Sequence, residues 1–86
     1  MSAIDDTVVL LLHARDKIEQ TGQMIEAFRR ELDEAGALLV QAGGEYYGTF
    51  AQGLVLALDT AEQAKQSAGI VAKGITDEVA RLQMPR

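Results

Sequence analysis

His13 is the only histidine in the chain and there is no cysteine. The residue types that most often serve as nucleophile, general base or zinc ligand therefore reduce to one imidazole. Acid–base or covalent chemistry needs a second group within hydrogen-bond reach, and neither another His nor a Cys is there to supply it, so His13 reads as a surface or boundary residue. The carboxylate pairs Asp5/Asp6 and Asp33/Glu34 are adjacent residues, which diverge on a helix and do not converge on one substrate. Gly43-Gly44 invites comparison with a phosphate cradle, but no Lys or Ser/Thr follows at Walker spacing. The chain reads as non-enzymatic: no catalytic residue, no metal ligand set and no cofactor site are expected.

The elements that carry these residues are helical. From Ile4 a large aliphatic recurs every seventh residue, as Ile4, Leu11, Ile18, Ile25, Leu32 and Leu39. Three residues after each come Thr7, Ala14, Thr21, Phe28, Ala35 and Ala42. This 3-4 alternation predicts one continuous seam along a long helix, large residues on one row and mostly small ones on the other. Gly22 and Gly36 flank the seam and are expected to permit close approach. Ser2 with Asp5 resembles a capping box, and Asp5 and Asp6 place negative charge where the helix dipole favours it. Arg15, Asp16, Lys17, Glu19, Glu26, Arg29, Arg30, Glu31, Asp33 and Glu34 are assigned to a solvated face with i,i+4 pairs such as Glu26 and Arg30.

The first pattern stops at Gly43-Gly44-Glu45-Tyr46-Tyr47-Gly48, close to the midpoint of the 86 residues. Two glycines tolerate left-handed backbone and make a natural helix stop. The 3-4 pattern then resumes with Tyr47, Phe50, Leu54, Ala57, Ala61, Ala64, Ala68, Val71, Ile75 and Leu82. Glu78 stands where an apolar residue would fit, with Val79 able to replace it as the helix drifts in phase. Gly53, Gly69 and Gly74 lower helix propensity, so this arm depends on packing, and Pro85 helps to end it. The expected fold is all-α: a single domain over residues 1–86, an antiparallel two-helix hairpin from about residue 3 to 42 and about 46 to 83, near 58 Å long. Gly43, Gly44, Tyr46, Tyr47 and Gly48 form the expected turn motif.

Composition agrees. Hydrophobic residues make up 48% of the chain but aromatics only 5%, a balance suited to helix-on-helix packing. A net charge of −5 with acidic and basic residues interspersed excludes the basic stripe that binds nucleic acid. No purely apolar run exceeds the five residues of Val8 to Leu12, far short of the roughly 20 residues of a membrane span. With Asp5 and Asp6 ahead of it, it does not read as a cleaved leader either. A chain this small has a thin core, and oligomerisation is a common remedy.

A hairpin buries one stripe per helix, yet apolar residues remain beyond it. Leu10, Leu12, Met24, Leu38, Val55, Leu56 and Leu58 are the expected partner interface, since sizeable exposed apolar patches mark interaction surfaces. A four-helix bundle, made by dimerisation with a copy of itself or with another hairpin, is the simplest completion.

A chain of this length that folds as a helical hairpin with an aromatic-x-Gly element at its turn resembles the WXG100, or ESAT-6-like, proteins of type VII secretion systems. Tyr46-Tyr47-Gly48 is the matching stretch, with Tyr46 standing where that family has Trp. A second register puts Gly44 at the family's Gly, Ala42 at its Trp and Phe50 at the aromatic six residues further on. Ala80 to Arg86 contains no Tyr-x-x-x-Asp/Glu export motif, so a partner would supply it. The resemblance implies dimerisation, often heterodimeric, and co-secretion as a folded pair. It also implies a partner that is another hairpin or the helical segment of a larger effector, with cytoplasmic residence followed by leaderless secretion. The alternative from another class is a cytoplasmic helical adaptor, a coiled-coil structural module that holds a partner helix in a groove.

Overall fold

The computed structural model describes residues 3–84, and every one of them except Gly43 and Met84 is helical. Helix α1 runs Ala3–Ala42 and helix α2 runs Gly44–Gln83. They lie antiparallel and form a rod of 64 × 17 × 13 Å with a radius of gyration of 19.4 Å. A compact protein of this length has a radius near 12 Å, so the rod stands far from globular. The expected hairpin is the observed fold. Ser2 and Pro85, assigned capping and stopping roles from sequence, lie outside the described residues.

The reversal takes one residue, Gly43, where the expected helix bounds left three, 43–45. The Gly43 N–H donates to the carbonyls of Leu39 and Val40, both at 3.2 Å, and its own carbonyl accepts from Tyr46 N–H at 3.0 Å and Tyr47 N–H at 3.2 Å. The same residue thus closes the ladder of α1 and opens that of α2. It does so at φ 138°, a backbone conformation that costs residues with a Cβ dearly. Gly44, Tyr46, Tyr47 and Gly48 belong to the opening turns of α2. Gly48, expected to ease the exit from the turn, meets no neighbour that would exclude a side chain. α2 starts without a side-chain cap, but Glu45 lies in its first turn, where the dipole favours an acid.

Large aliphatics meet along the seam from Leu11 onward as the heptad predicts, with Leu11, Ile18, Ile25, Leu32 and Leu39 half-buried against Leu54, Ala61, Ala68, Ile75 and Leu82, whereas Ile4, expected to begin the row, is exposed. The second row of each helix is shifted by one position from the expected one. On α1 it is Val8, Arg15, Gly22, Arg29 and Gly36, all partly or fully covered, while Thr7, Ala14, Thr21, Phe28 and Ala42 are exposed. On α2 it is Ala51, Leu58, Ala72 and Val79, with Lys65 at the intervening step, while Phe50, Ala64 and Val71 are exposed. The physical reason is that positions three and four residues from a seam row flank it on opposite sides. The chain turns towards the row that lets small residues and long amphipathic stems line the contact. Gly36 brings its backbone within ordinary contact of Leu54 Cδ1, 3.8 Å from where a Cβ would stand. Gly22 has no such neighbour, so close approach at that point does not require it.

Two substitutions separate these roles. Gly43→Ala is expected to lower unfolding free energy by about 1–3 kcal/mol through backbone strain. Gly22→Ala, in mid-helix with open space, is expected to raise it by up to about 1 kcal/mol. Urea denaturation followed by circular dichroism checks both.

Candidate partner interface

The two sides of the seam differ in chemistry. Ile18 and Ala68 line hollows on both sides, and the residues joining them diverge. On one side a hollow of about 360 Å³ includes Glu19, Gly22, Glu26, Lys65 and Gly69. On the other a hollow of about 250 Å³ is made with Thr21, Ser67 and Val71. The second side continues into a groove of about 410 Å³ lined by Ile25, Phe28, Leu56, Ala57, Thr60, Ala61 and Ala64. Glu19, Glu26 and Lys65 stand on the first side only, and no charged residue lines the hollow or the groove on the second.

The charged side carries the polar bridges between the helices. Lys65 Nζ donates to Glu26 Oε2 at 2.8 Å, and Arg29 donates to the same carboxylate at 2.8 and 3.3 Å. Glu26 therefore pairs across the seam and with Arg29 on its own helix, rather than with Arg30 as the spacing predicted. Hydrogen bonds from Arg29 and then Lys65 hold its pKa down to about 2 from the ordinary 4.5. Further along, Arg15 donates through one terminal nitrogen to Thr76 Oγ1 at 3.2 Å. Its Nε is 3.8 Å from Glu19 Oε1, beyond a hydrogen bond. Arg15 and Arg29, expected on the solvated face, thus stand at the seam edge with their apolar stems packed and their heads at the rim. On the outer surfaces Lys73 pairs with Asp77 and Arg81 with Glu78.

The apolar side is built from the rows that the sequence reading had placed inside the hairpin. Phe28, 54% exposed, stands beside Thr21 on one helix, facing Ala57 and Ala64 on the other. Its hydroxyls are turned away: Thr21 donates back to the Lys17 carbonyl at 2.9 Å and Thr60 to the Leu56 carbonyl at 2.8 Å. Both hydroxyls are thus paired within their own helices and need no partner from outside.

Among the seven residues expected at the interface, Leu10, Met24 and Leu38 are exposed at 69%, 70% and 64% and stand in one row, fourteen residues apart, beside the row of Phe28. Leu56 joins them by lining the groove. Val55 lies on the other side, near the tip, in a hollow with Val40 and Tyr47. Leu58 lines that hollow from the seam row and is half-buried, so it belongs to the hairpin's own contact, and Leu12 is likewise half-buried at the seam edge. The sequence reading passed over Phe28, Ala57 and Ala64 because it counted them as core. His13 is exposed. Among the described residues no group of three or more His, Cys, Asp or Glu could hold a metal ion, and no helix is long and apolar enough to cross a membrane. The chain matches no family model, no curated protein and no solved structure.

Because the Glu26 carboxyl is held below its ordinary value, the stability it contributes is complete above about pH 4.5 and is lost as pH falls through about 2. Thermal melts between pH 6 and 2 are expected to show a falling midpoint across that window, with a smaller fall in Glu26→Gln.

Proposed function

We propose that this chain is a non-enzymatic docking hairpin, which receives a second helical hairpin or the helical segment of a larger effector on the apolar face beside its seam. We further propose that it serves type VII secretion as a substrate or as the targeting companion of such an effector. The observation that carries the docking role is the one-sided chemistry of the rod. Phe28, Met24, Leu10 and Leu38 on α1 and Leu56 and Ala64 on α2 are exposed on one side, with Ala57 half-buried beside them, while the Glu26–Lys65 ion pair and the Arg15–Thr76 hydrogen bond that bridge the helices occupy the other. Apolar area of this kind is stabilised by covering it, at roughly 25 cal/mol per Å².

The secretion role rests on the resemblance at the reversal. The register that puts Gly44 at the family's Gly and Phe50 at its aromatic falls at the turn, one residue past Gly43. Tyr46-Tyr47-Gly48 falls within α2. A second reading, a cytoplasmic adaptor holding a single partner helix, is favoured by the groove between Phe28 and Ala64, which is open along its length.

Two measurements test these readings. Phe28→Asp is expected to abolish retention of a hairpin co-expressed from a neighbouring gene while leaving helicity intact, because the ring is more than half exposed. Ile25→Asp is expected to unfold the hairpin by burying an unpaired charge in the seam. Loss of helicity in Phe28→Asp, or undiminished retention, sinks the docking role. For the secretion role, the protein is expected in culture supernatant only when the secretion system is intact. Strict retention in cells, with and without its partner, rules that role out.

A further inference from the structure

On the docking face, one row of α1 reads the same in both directions once charge is inverted. Leu10, Lys17, Met24, Glu31 and Leu38 follow one another at intervals of seven, and all five are exposed. Reversal exchanges the outer leucines, leaves Met24 in place and sets the lysine where the glutamate was. A two-fold interface demands this relation, because residue i meets j while j meets i. With the axis at Met24, Leu10 of one copy lies level with Leu38 of the other, Lys17 with Glu31, and Met24 with itself. The neighbouring row obeys nearly the same axis: Ala14 falls level with Ala35, and the bulky Phe28 with the smaller Thr21, each twice.

The second helix accepts the same axis. Glu26 is bridged to Lys65 and Arg15 to Thr76, which sets Met24 level with about Ser67. Around Ser67 the face carries Thr60, Ala64, Val71 and Gly74, small enough for two copies of α2 to approach as closely as two copies of α1. The area is sufficient too. The chain exposes 6543 Å², about 1,500 Å² more than a compact protein of its mass, against the roughly 800 Å² that each partner gives to a stable interface.

We propose that the occupant of the docking face is a second copy of this chain, packed with α1 antiparallel on α1 about a two-fold axis at Met24. Lys17 and Glu31 form the pair that selects it. The proposal rests on the docking reading and names its partner; a partner of unrelated sequence would not require a row of α1 to mirror itself.

Charge exchange and cross-linking test it in the full chain. Wild type is expected at twice 9.3 kDa by light scattering. Lys17→Glu, which opposes like charges at two symmetric places, is expected to raise the dimer dissociation constant by about tenfold or more. Adding Glu31→Lys is expected to bring it back to within about threefold of wild type. Since the chain has no cysteine, Met24→Cys is expected to give a disulfide-linked dimer under mild oxidation. Leu10→Cys, whose thiols stand about 40 Å apart in this arrangement, is expected to give none. A monomeric mass at every concentration, a double exchange that fails to restore, or equal cross-linking at positions 10 and 24 overturns the proposal. A monomer that still retains a co-expressed hairpin overturns self-pairing alone, and a chain that does neither removes the docking role as well.

Discussion

Gly43 sets the register of the whole molecule. Its N–H ends one helix and its carbonyl begins the next, so no slack remains in the connection to let one arm slide along the other. The consequence is visible at three widely separated places, where Gly36 meets Leu54, Glu26 meets Lys65 and Arg15 meets Thr76. In each pair the α2 residue lies four or five positions further from Gly43 than its α1 partner. A constant offset over most of a 64 Å rod means that the heptad continues without a stutter on either side. The rotation of each helix about its own axis is fixed along with the register.

That rotation decides what the molecule can do. A pair of helices buries one stripe each, and here, among the described residues, full burial reaches only Val8, Ala61 and Val79. The polar bridges are partly exposed, a class of interaction worth little to stability. Their physical effect is orientational: they can form only when Arg15, Glu26, Arg29 and Lys65 share one edge of the seam, which commits the opposite edge to Thr21, Phe28, Ala57 and Ala64. Threonine back-bonding adds to the separation by pairing the Thr21 and Thr60 hydroxyls within their own helices.

Much of this was legible in the sequence, and what was not has a definite origin. The aliphatic row from Leu11 to Leu39 and the row from Leu54 to Leu82 announce themselves by size and recur in the seam. The companion row is ambiguous, because apolar residues exist both three and four positions away. Phe28 and Phe50 look like better core than Arg29 and Ala51. Arg29 and Arg15 win because a long stem can cover apolar surface while its head reaches an acid at the rim, an outcome that hydropathy counts against. The turn was placed correctly but drawn too long, since two glycines and two tyrosines resemble a loop. One positive φ at Gly43 suffices, and the tyrosines then serve as ordinary helical residues with partly exposed rings. The partner surface was half legible. Leu10, Met24, Leu38 and Leu56 share the open side, Val55 lies across the seam from them, and Leu58 was spent on the hairpin itself.

The distribution of charge bears on whether such a face could meet its own copy. The chain carries a net charge of −5, and two acidic rods brought together repel unless the excess lies elsewhere. Glu19, Glu26 and Asp33 stand seven residues apart on the bridged side, the first two in one hollow and Asp33 in the one near the tip, and there Arg15, Arg29 and Lys65 stand beside Glu19 and Glu26. The α1 row at the open face instead balances one lysine against one glutamate. With a screening length of about 8 Å at physiological salt, acids on the outer side of a rod 13 to 17 Å thick are felt only weakly across it, and the charges that matter are those at the contact. A neutral, self-mirroring row on the open side, with the acidic row turned to the far side, makes the face compatible with a second copy of the same acidic chain.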